Sequence, residues 1–238
     1  MTINILHLYP KEMNLYGDHG NVLCLKRRLE WRGYKVKIIE HEPGDELPKD
    51  IDIIFGGGGQ DSGQSKIEKD LQIIGPKLKE MVESHTPTLV ICGLYQLFGK
   101  YFKTSEGQEI KGVDILDITT DAGNDRIVGN ITIDTRQFGK VVGYENHSGL
   151  TKLGANVQPF GAVVLGGGNN ATDITEGAVY KNCIGTYLHG PILPKNPRVA
   201  DYLIEKALEN KTGQAIKLEP LDDKIEDAAR EVAASRPR

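Results

Sequence analysis

The stretch "TLVICGLYQLFGK", residues 88–100, decides how the fold is read. An apolar run ends on Cys92, Gly93 follows at once, and residues with helical spacing come next. A turn from strand to helix lifts its corner residue out of the sheet, the device that exposes a nucleophile in an elbow motif. Free cysteine is also among the most buried residue types, so simple packing is the competing reading. The rest of the chain has to choose between them.

Working outward, the first hundred residues alternate in texture. "INILHLYP", "YKVKIIEH", "DIDIIFGG" and "TLVICG" read as strands. Between them, "GNVLCLKRRLEWRG" reads as a helix stopped at Gly33, and "QSKIEKDLQIIGPKLKEMVESH" as an amphipathic helix in which Pro76 predicts a kink or break. Strands alternating with helices predict a parallel sheet covered on both faces. After about residue 105, segments such as "DRIVGNITIDT", "GKVVGYENHSG" and "GAVVLGGG" read as short strands, some antiparallel, that complete or extend that sheet. "NPRVADYLIEKALENKTG" returns to a helix, with Asn196 as N-cap and Pro197 at its first position. The expectation is one compact α/β domain over residues 1–212, with a charged tail at 213–238 that is a terminal helix or a frayed end.

Composition narrows the function classes. A chain of 238 residues with 39% hydrophobic residues can bury one sizeable core. A net charge of -4 argues against nucleic-acid binding. No apolar run approaches the roughly 20 residues of a membrane span, so no membrane insertion is expected. "MTINILHLYP" lacks the pattern of a signal peptide, and Cys24, Cys92 and Cys183 form no C-x-x-C pair. A cytoplasmic location is expected, where thiols stay reduced.

Ligands in open α/β sheets bind at the carboxyl ends of the strands. Cys92 falls there, together with "GGGGQDSGQ" (Gly56–Gln64), "NLYGDHGN" (Asn14–Asn21) and "YLHGPILP" around His189. The glycine loop offers free N–H groups and close backbone approach. No segment fits a P-loop, and the near match "GGGNNA" (Gly166–Ala171) opens no helix, so no ATP or dinucleotide cofactor is expected in this chain. A nucleophilic thiol needs a base beside it. His189 fills that role, with His147 as rival, while Cys24 and Cys183 read as packing residues.

Taken in order, "NLYGDHGN", "FGGGGQD", "VICGLYQLFG", "GYENHSG" and "YLHGPILP" resemble the CobB/CobQ-like class I glutamine amidotransferases over nearly the whole chain. The resemblance implies a flavodoxin-like core and hydrolysis of L-glutamine, with Cys92 as nucleophile and His189 as general base. On that footing, N–H groups near Gly58 and at Leu94 are expected to hold the oxyanion. Arg126, preferred over Arg136, is expected to clamp the glutamine carboxylate. Tyr95 and Gln96 are expected to line the pocket, with Glu145 and His147 on its rim.

One departure stands out. Many relatives carry H-x-E at the base, and here Pro191 stands two residues after His189. A partner subunit, a rearranged loop, or an internal carboxylate such as Asp18 must orient the imidazole, unless the pair works as a dyad. Completion by the partner is the expectation favoured by the missing acid. Amidating a carboxylate also needs an activated acid. The resemblance therefore places ATP and Mg on a Mur-ligase-like (MurT-like) synthetase subunit, whose acceptor is a lipid-linked peptidoglycan precursor. A free-standing cysteine hydrolase or peptidase and a silent binding module are the alternatives.

Overall fold

The computed structural model describes residues 1–237. The chain begins with strand β1 (Thr2–Leu8), helix α1 (His19–Glu30) and strand β2 (Lys35–His41). It returns through β3 (Ile53–Gly56), α2 (Asp61–Glu83) and β4 (Thr88–Ile91) to the short helix α3 (Gly93–Leu97). Every residue of β3 and of β4 is buried, as expected of parallel strands covered on both faces.

Strands β5 (Tyr101–Lys103) and β6 (Glu109–Lys111) lead into a long hairpin, β7 (Ile118–Thr135) and β8 (Gly139–Leu153). Then come β9 (Gly161–Leu165), β10 (Thr175–Glu176), β11 (Ala178–Tyr180) and β12 (Cys183–Thr186). Helices α4 (Ile192–Lys195), α5 (Pro197–Thr212) and α6 (Lys224–Ser235) follow.

The first sheet has the order β11-β12-β4-β3-β1-β2, parallel except at β11. From β1 the chain steps one way to β2 through α1, then the other way from β3 to β4 through α2. Right-handed crossovers in opposite directions put α1 and α2 on opposite faces. The order reverses between β1 and β3, which opens a crevice at their carboxyl ends. The loops after β1 and β3 therefore flank the place where a ligand fits.

Three expectations need correction. Of the late strands only β11 and β12 extend this sheet. The others form a second one, β10-β9-β7-β5-β6 with β8 paired to β7, in which β7 and β8 run to 18 and 15 residues. Their alternating burial gives each strand one packed face and one open face, which a fully covered parallel sheet cannot use. Pro76 does not break α2. It lies on the exposed side, while Ile67, Leu71, Leu78 and Val82 bury the helix on either side of it. Asn196 holds the N-cap position of α5 but makes no side-chain cap. Its carboxamide instead binds both backbone groups of Val142 in β8 and the Ile192 carbonyl, fastening the two halves of the molecule. The tail, read from sequence as a terminal helix or a frayed end, carries helix α6 over Lys224–Ser235.

Arg28 ties that tail down. Its buried guanidinium makes two-pronged bonds to Asp201 of α5 and to Asp223, just before α6, at 2.6–3.0 Å. Removing one partner of a buried pair leaves unpaired charge. Because both carboxylates keep about a quarter of their exposure, Arg28→Leu is expected to lower unfolding free energy by about 2 kcal/mol in urea denaturation.

Candidate active site

Cys92 sits between β4 and α3 with φ 46° and ψ −100°, a backbone conformation that side-chain-bearing residues rarely adopt. Two contacts impose it. The Cys92 N–H donates to the Thr186 carbonyl at 2.8 Å, and α3 starts immediately afterwards. A glycine must follow, because a Cβ at Gly93 would meet the Gly59 nitrogen at 2.9 Å. The thiol corner is an elbow, not a packed strand end.

Gly58, in the loop after β3, lies at the meeting point of three side chains. A Cβ placed there would stand 2.5 Å from His189 Cε1, 3.2 Å from Cys92 Cβ and 3.3 Å from Asp18 Oδ2. His189 is completely buried, and its Nδ1 lies 3.3–3.4 Å from the two Asp18 carboxylate oxygens. Asp18 was the internal candidate for the third group, and the structure puts it beside His189. Asp18 is also fixed, since its Oδ2 accepts the Gly58 N–H at 2.7 Å. Burial works against charge on His189, but the neighbouring Cys92 and Asp18 outweigh it and push its pKa up to about 10.

His147, the rival base, is neutral. Burial pushes its pKa down to about 3, its Nδ1 bonds the Gly149 carbonyl at 2.8 Å, and its ring stacks on Tyr187 with centroids 3.5 Å apart. The other thiols are also unsuited to nucleophilic work. Burial pushes Cys24 up to about 12 and raises Cys183 further.

Cys92 opens into a cleft of about 570 Å³. Gln96, His147 and Arg126 line it, in agreement with the sequence reading. Arg126 reaches it through a bulge: four residues of β7 stand opposite a single residue of β8, between the Ala122–Gly149 and Ile127–His147 pairs. Its Nε and Nη2 donate to Asn146 Oδ1 at 3.0 and 2.7 Å, while Nη1 has no partner among the described residues.

Tyr95, Gly58 and Glu145 act differently from expectation, and Leu94 offers only its backbone. Tyr95 does not line the cleft: it is fully buried behind α3, its hydroxyl donating to Asn169 Oδ1 at 3.0 Å. Leu94 is buried against Gly56, so only its N–H, in the unbonded first turn of α3, is open to a ligand. The Gly58 N–H is spent on Asp18, whereas that of Gly59 donates to no acceptor among the described residues. Gly59, not Gly58, is therefore the loop donor left for an anion. Glu145 is wholly buried, away from the rim, and accepts the N–H groups of Gly167 and Gly168 at 2.7 and 2.9 Å. A carboxylate thus fills the "GGGNNA" turn where a dinucleotide-binding loop would hold phosphate. Among the described residues no group of three or more His, Cys, Asp and Glu is placed to hold a metal ion.

Gln64, Asn146 and Tyr16 are among the lining residues that were not legible as such. Tyr16 stands edge-on to the His189 ring at 5.0 Å and screens it from solvent. Behind the site, Glu176 is buried with its pKa pushed up to about 8 by desolvation, and accepts from Tyr187 N at 2.7 Å and from the Thr186 hydroxyl at 3.0 Å. It braces the segment that carries His189.

This geometry agrees with the comparisons. The profile of the CobB/CobQ-like glutamine amidotransferase domain matches residues 4–197. The chain belongs to that family. It is 42% identical over 98% of its length to the lipid II isoglutaminyl synthase (glutamine-hydrolyzing) subunit GatD of Staphylococcus aureus, covering 96% of that protein. Identity to the subunit of the same name from Streptococcus pneumoniae is 39%, over 93% of this chain and 86% of the relative. A crystal structure of a glutamine amidotransferase superposes with a TM-score of 0.60 at 15% identity, covering 85% of this chain and 98% of the other, which shows the shared fold. No described helix is long and apolar enough to cross a membrane.

A pH profile tests the site. The imidazolium persists at neutral pH and is lost as pH rises through about 10, so activity should fall on that alkaline limb. Removing the Asp18 charge lowers the His189 pKa, so the limb of Asp18→Asn should shift to lower pH and kcat should drop by about 10²-fold or more. His147→Ala should leave the limb in place. A limb unmoved in Asp18→Asn would dissociate this carboxylate from the base.

Proposed function

We propose that this chain is the glutaminase subunit of an ATP-dependent synthase. Cys92 attacks the side-chain carbonyl carbon of L-glutamine, and the oxyanion is held by the N–H groups of Gly59 and Leu94. His189 gives its proton to the departing nitrogen, so that the C–N bond breaks, ammonia leaves and a γ-glutamyl thioester remains on Cys92. His189 then deprotonates a water that hydrolyses the thioester, giving glutamate and restoring the thiol. Arg126 receives the α-carboxylate through its unoccupied Nη1, exchanging part of its contact with Asn146 for a charged partner.

The observation that carries this reading is the strained Cys92 corner beside a buried His189–Asp18 pair. The names of the similar proteins support the larger role. The ammonia passes to a Mur-ligase-like (MurT-like) synthetase subunit that holds ATP and Mg and amidates the D-glutamate α-carboxyl of the lipid II stem peptide to D-isoglutamine. An Asp18–His189 contact of 3.3 Å is longer than the about 2.7–2.9 Å of a strong charge-assisted bond. Docking of the synthetase on the rim formed by the Gly56–Gln64 loop and the His189 segment tightens the pair, or adds an acid to it, and keeps ammonia from solvent.

Ammonia release by the isolated chain and by the complex, under identical conditions, tests this reading. The complex should turn over at least about tenfold faster, a modest share of what a positioned acid–base group contributes. Cys92→Ser should be inactive in both, and Arg126→Lys should mainly raise KM. Ammonia release by Cys92→Ser would remove the proposal, and equal rates with and without partner would remove the tightening.

A further inference from the structure

Gln64 lies in the first turn of α2, directly after the glycine loop, and is 1% exposed although it lines the active-site cleft. Its Nε2 spends both hydrogens inside the protein: one on the carbonyl of Gly93 at 3.0 Å, the other on Gln96 Oε1 at 2.9 Å. A backbone carbonyl only accepts, so the first bond fixes which end of the amide is nitrogen. The Gln64 carbonyl oxygen is therefore the end left for the cleft. Among the described residues it accepts no hydrogen bond, and it is not among the buried atoms sealed off without a partner. The same chain continues through Gln96, whose Nε2 donates to the Tyr187 hydroxyl at 3.2 Å, and Tyr187 meets Thr151 at 2.6 Å. The two amides each have one permitted orientation, so the free acceptor is held by a bond to Gly93, the residue after the nucleophile.

We infer that Gln64 is a specificity-determining residue of the glutaminase site, its Oε1 accepting a hydrogen bond from the carboxamide nitrogen of the substrate. The inference rests on the glutaminase reading above. It explains a requirement that the Cys–His pair leaves open. A nucleophilic thiolate attacks esters and amides alike, and glutamate differs from glutamine only by oxygen in place of NH₂. A fixed acceptor favours the group with N–H bonds and repels the product carboxylate. As His189 passes its proton, the departing nitrogen becomes a better donor, so the bond strengthens along the reaction and favours the transition state. Sites that hydrogen-bond a substrate group discriminate well against analogues lacking it, since the site's own polar atom is then left unpaired.

The test compares two substrates on the full chain: L-glutamine and the γ-methyl ester of L-glutamate, which forms the same thioester but has no N–H on its leaving group. Glutamate formation is measured for both, and kcat/KM reports the acylation step. Gln64→Met, similar in length but lacking the acceptor, should lose about tenfold in kcat/KM for glutamine. Its value for the ester should stay within about twofold of the wild type. Equal losses for both substrates would overturn the inference, because they would show that Gln64 only supports Gln96 or binds the α-ammonium group common to both. No loss for either would overturn it as well. If Gln64→Met fails to fold, Gln64→Ala carries the same comparison. A wild-type chain that hydrolyses neither substrate would remove the glutaminase reading itself, a result distinct from an equal loss.

Discussion

The site depends on the backbone at Cys92. A residue with a side chain is held at φ 46°, where it costs of order 1–3 kcal/mol, and the surrounding structure has to supply that energy. It does so through neighbours on both sides: β12, which accepts the Cys92 N–H, and the glycine loop after β3, which packs against Gly93. The same two elements carry the rest of the chemistry. Thr186 at the end of β12 precedes His189 by three residues, and the glycine loop brings the Gly58 N–H to Asp18 and leaves that of Gly59 free. Holding the corner and assembling the site are thus one packing problem. That is why glycine recurs at 57, 58, 59 and 93, where a Cβ would meet protein atoms at 3 Å or less.

Electrostatics follow from burial. A wholly enclosed histidine would ordinarily be neutral, as His147 is. His189 is enclosed just as fully but stays protonated, because a sulfur and a carboxylate face it from two sides. The two histidines differ in partners, not in depth. The second sheet supplies the walls: its β7–β8 hairpin brings Arg126, Asn146 and His147 to the lining of the cleft.

Much of this was legible in the sequence, for definite reasons. Alternating apolar strands and amphipathic helices announced the parallel sheet, while a cysteine at a strand-to-helix corner set an elbow against simple packing without deciding between them. Gln96 was legible because one helical turn separates it from Cys92. Asp18 could be named only as one acid on the right rim, since it meets His189 from 171 residues away. Gln64 looked like an ordinary opening residue of an amphipathic helix, because its partners, Gly93 and Gln96, lie on another element. Tyr95 was misplaced because α3 buries both flanks: a fully enclosed five-residue helix gives no apolar stripe by which to tell the cleft side. Gly58 was misassigned to the oxyanion because nothing in a run of glycines says which N–H is already spoken for. Arg126 was read from chemistry alone, and a bulge invisible to periodicity delivers it to the cleft.

The account turns on one covalent species, a γ-glutamyl thioester at the elbow cysteine. Acid-quenching the protein during turnover with isotopically labelled glutamine, followed by peptide mass spectrometry, observes it directly. The account predicts label as a glutamyl adduct on the peptide containing Cys92, lost on treatment with hydroxylamine, with Cys24 and Cys183 unlabelled. Glutamate formation with no adduct on Cys92, or with the adduct on another side chain, would contradict it.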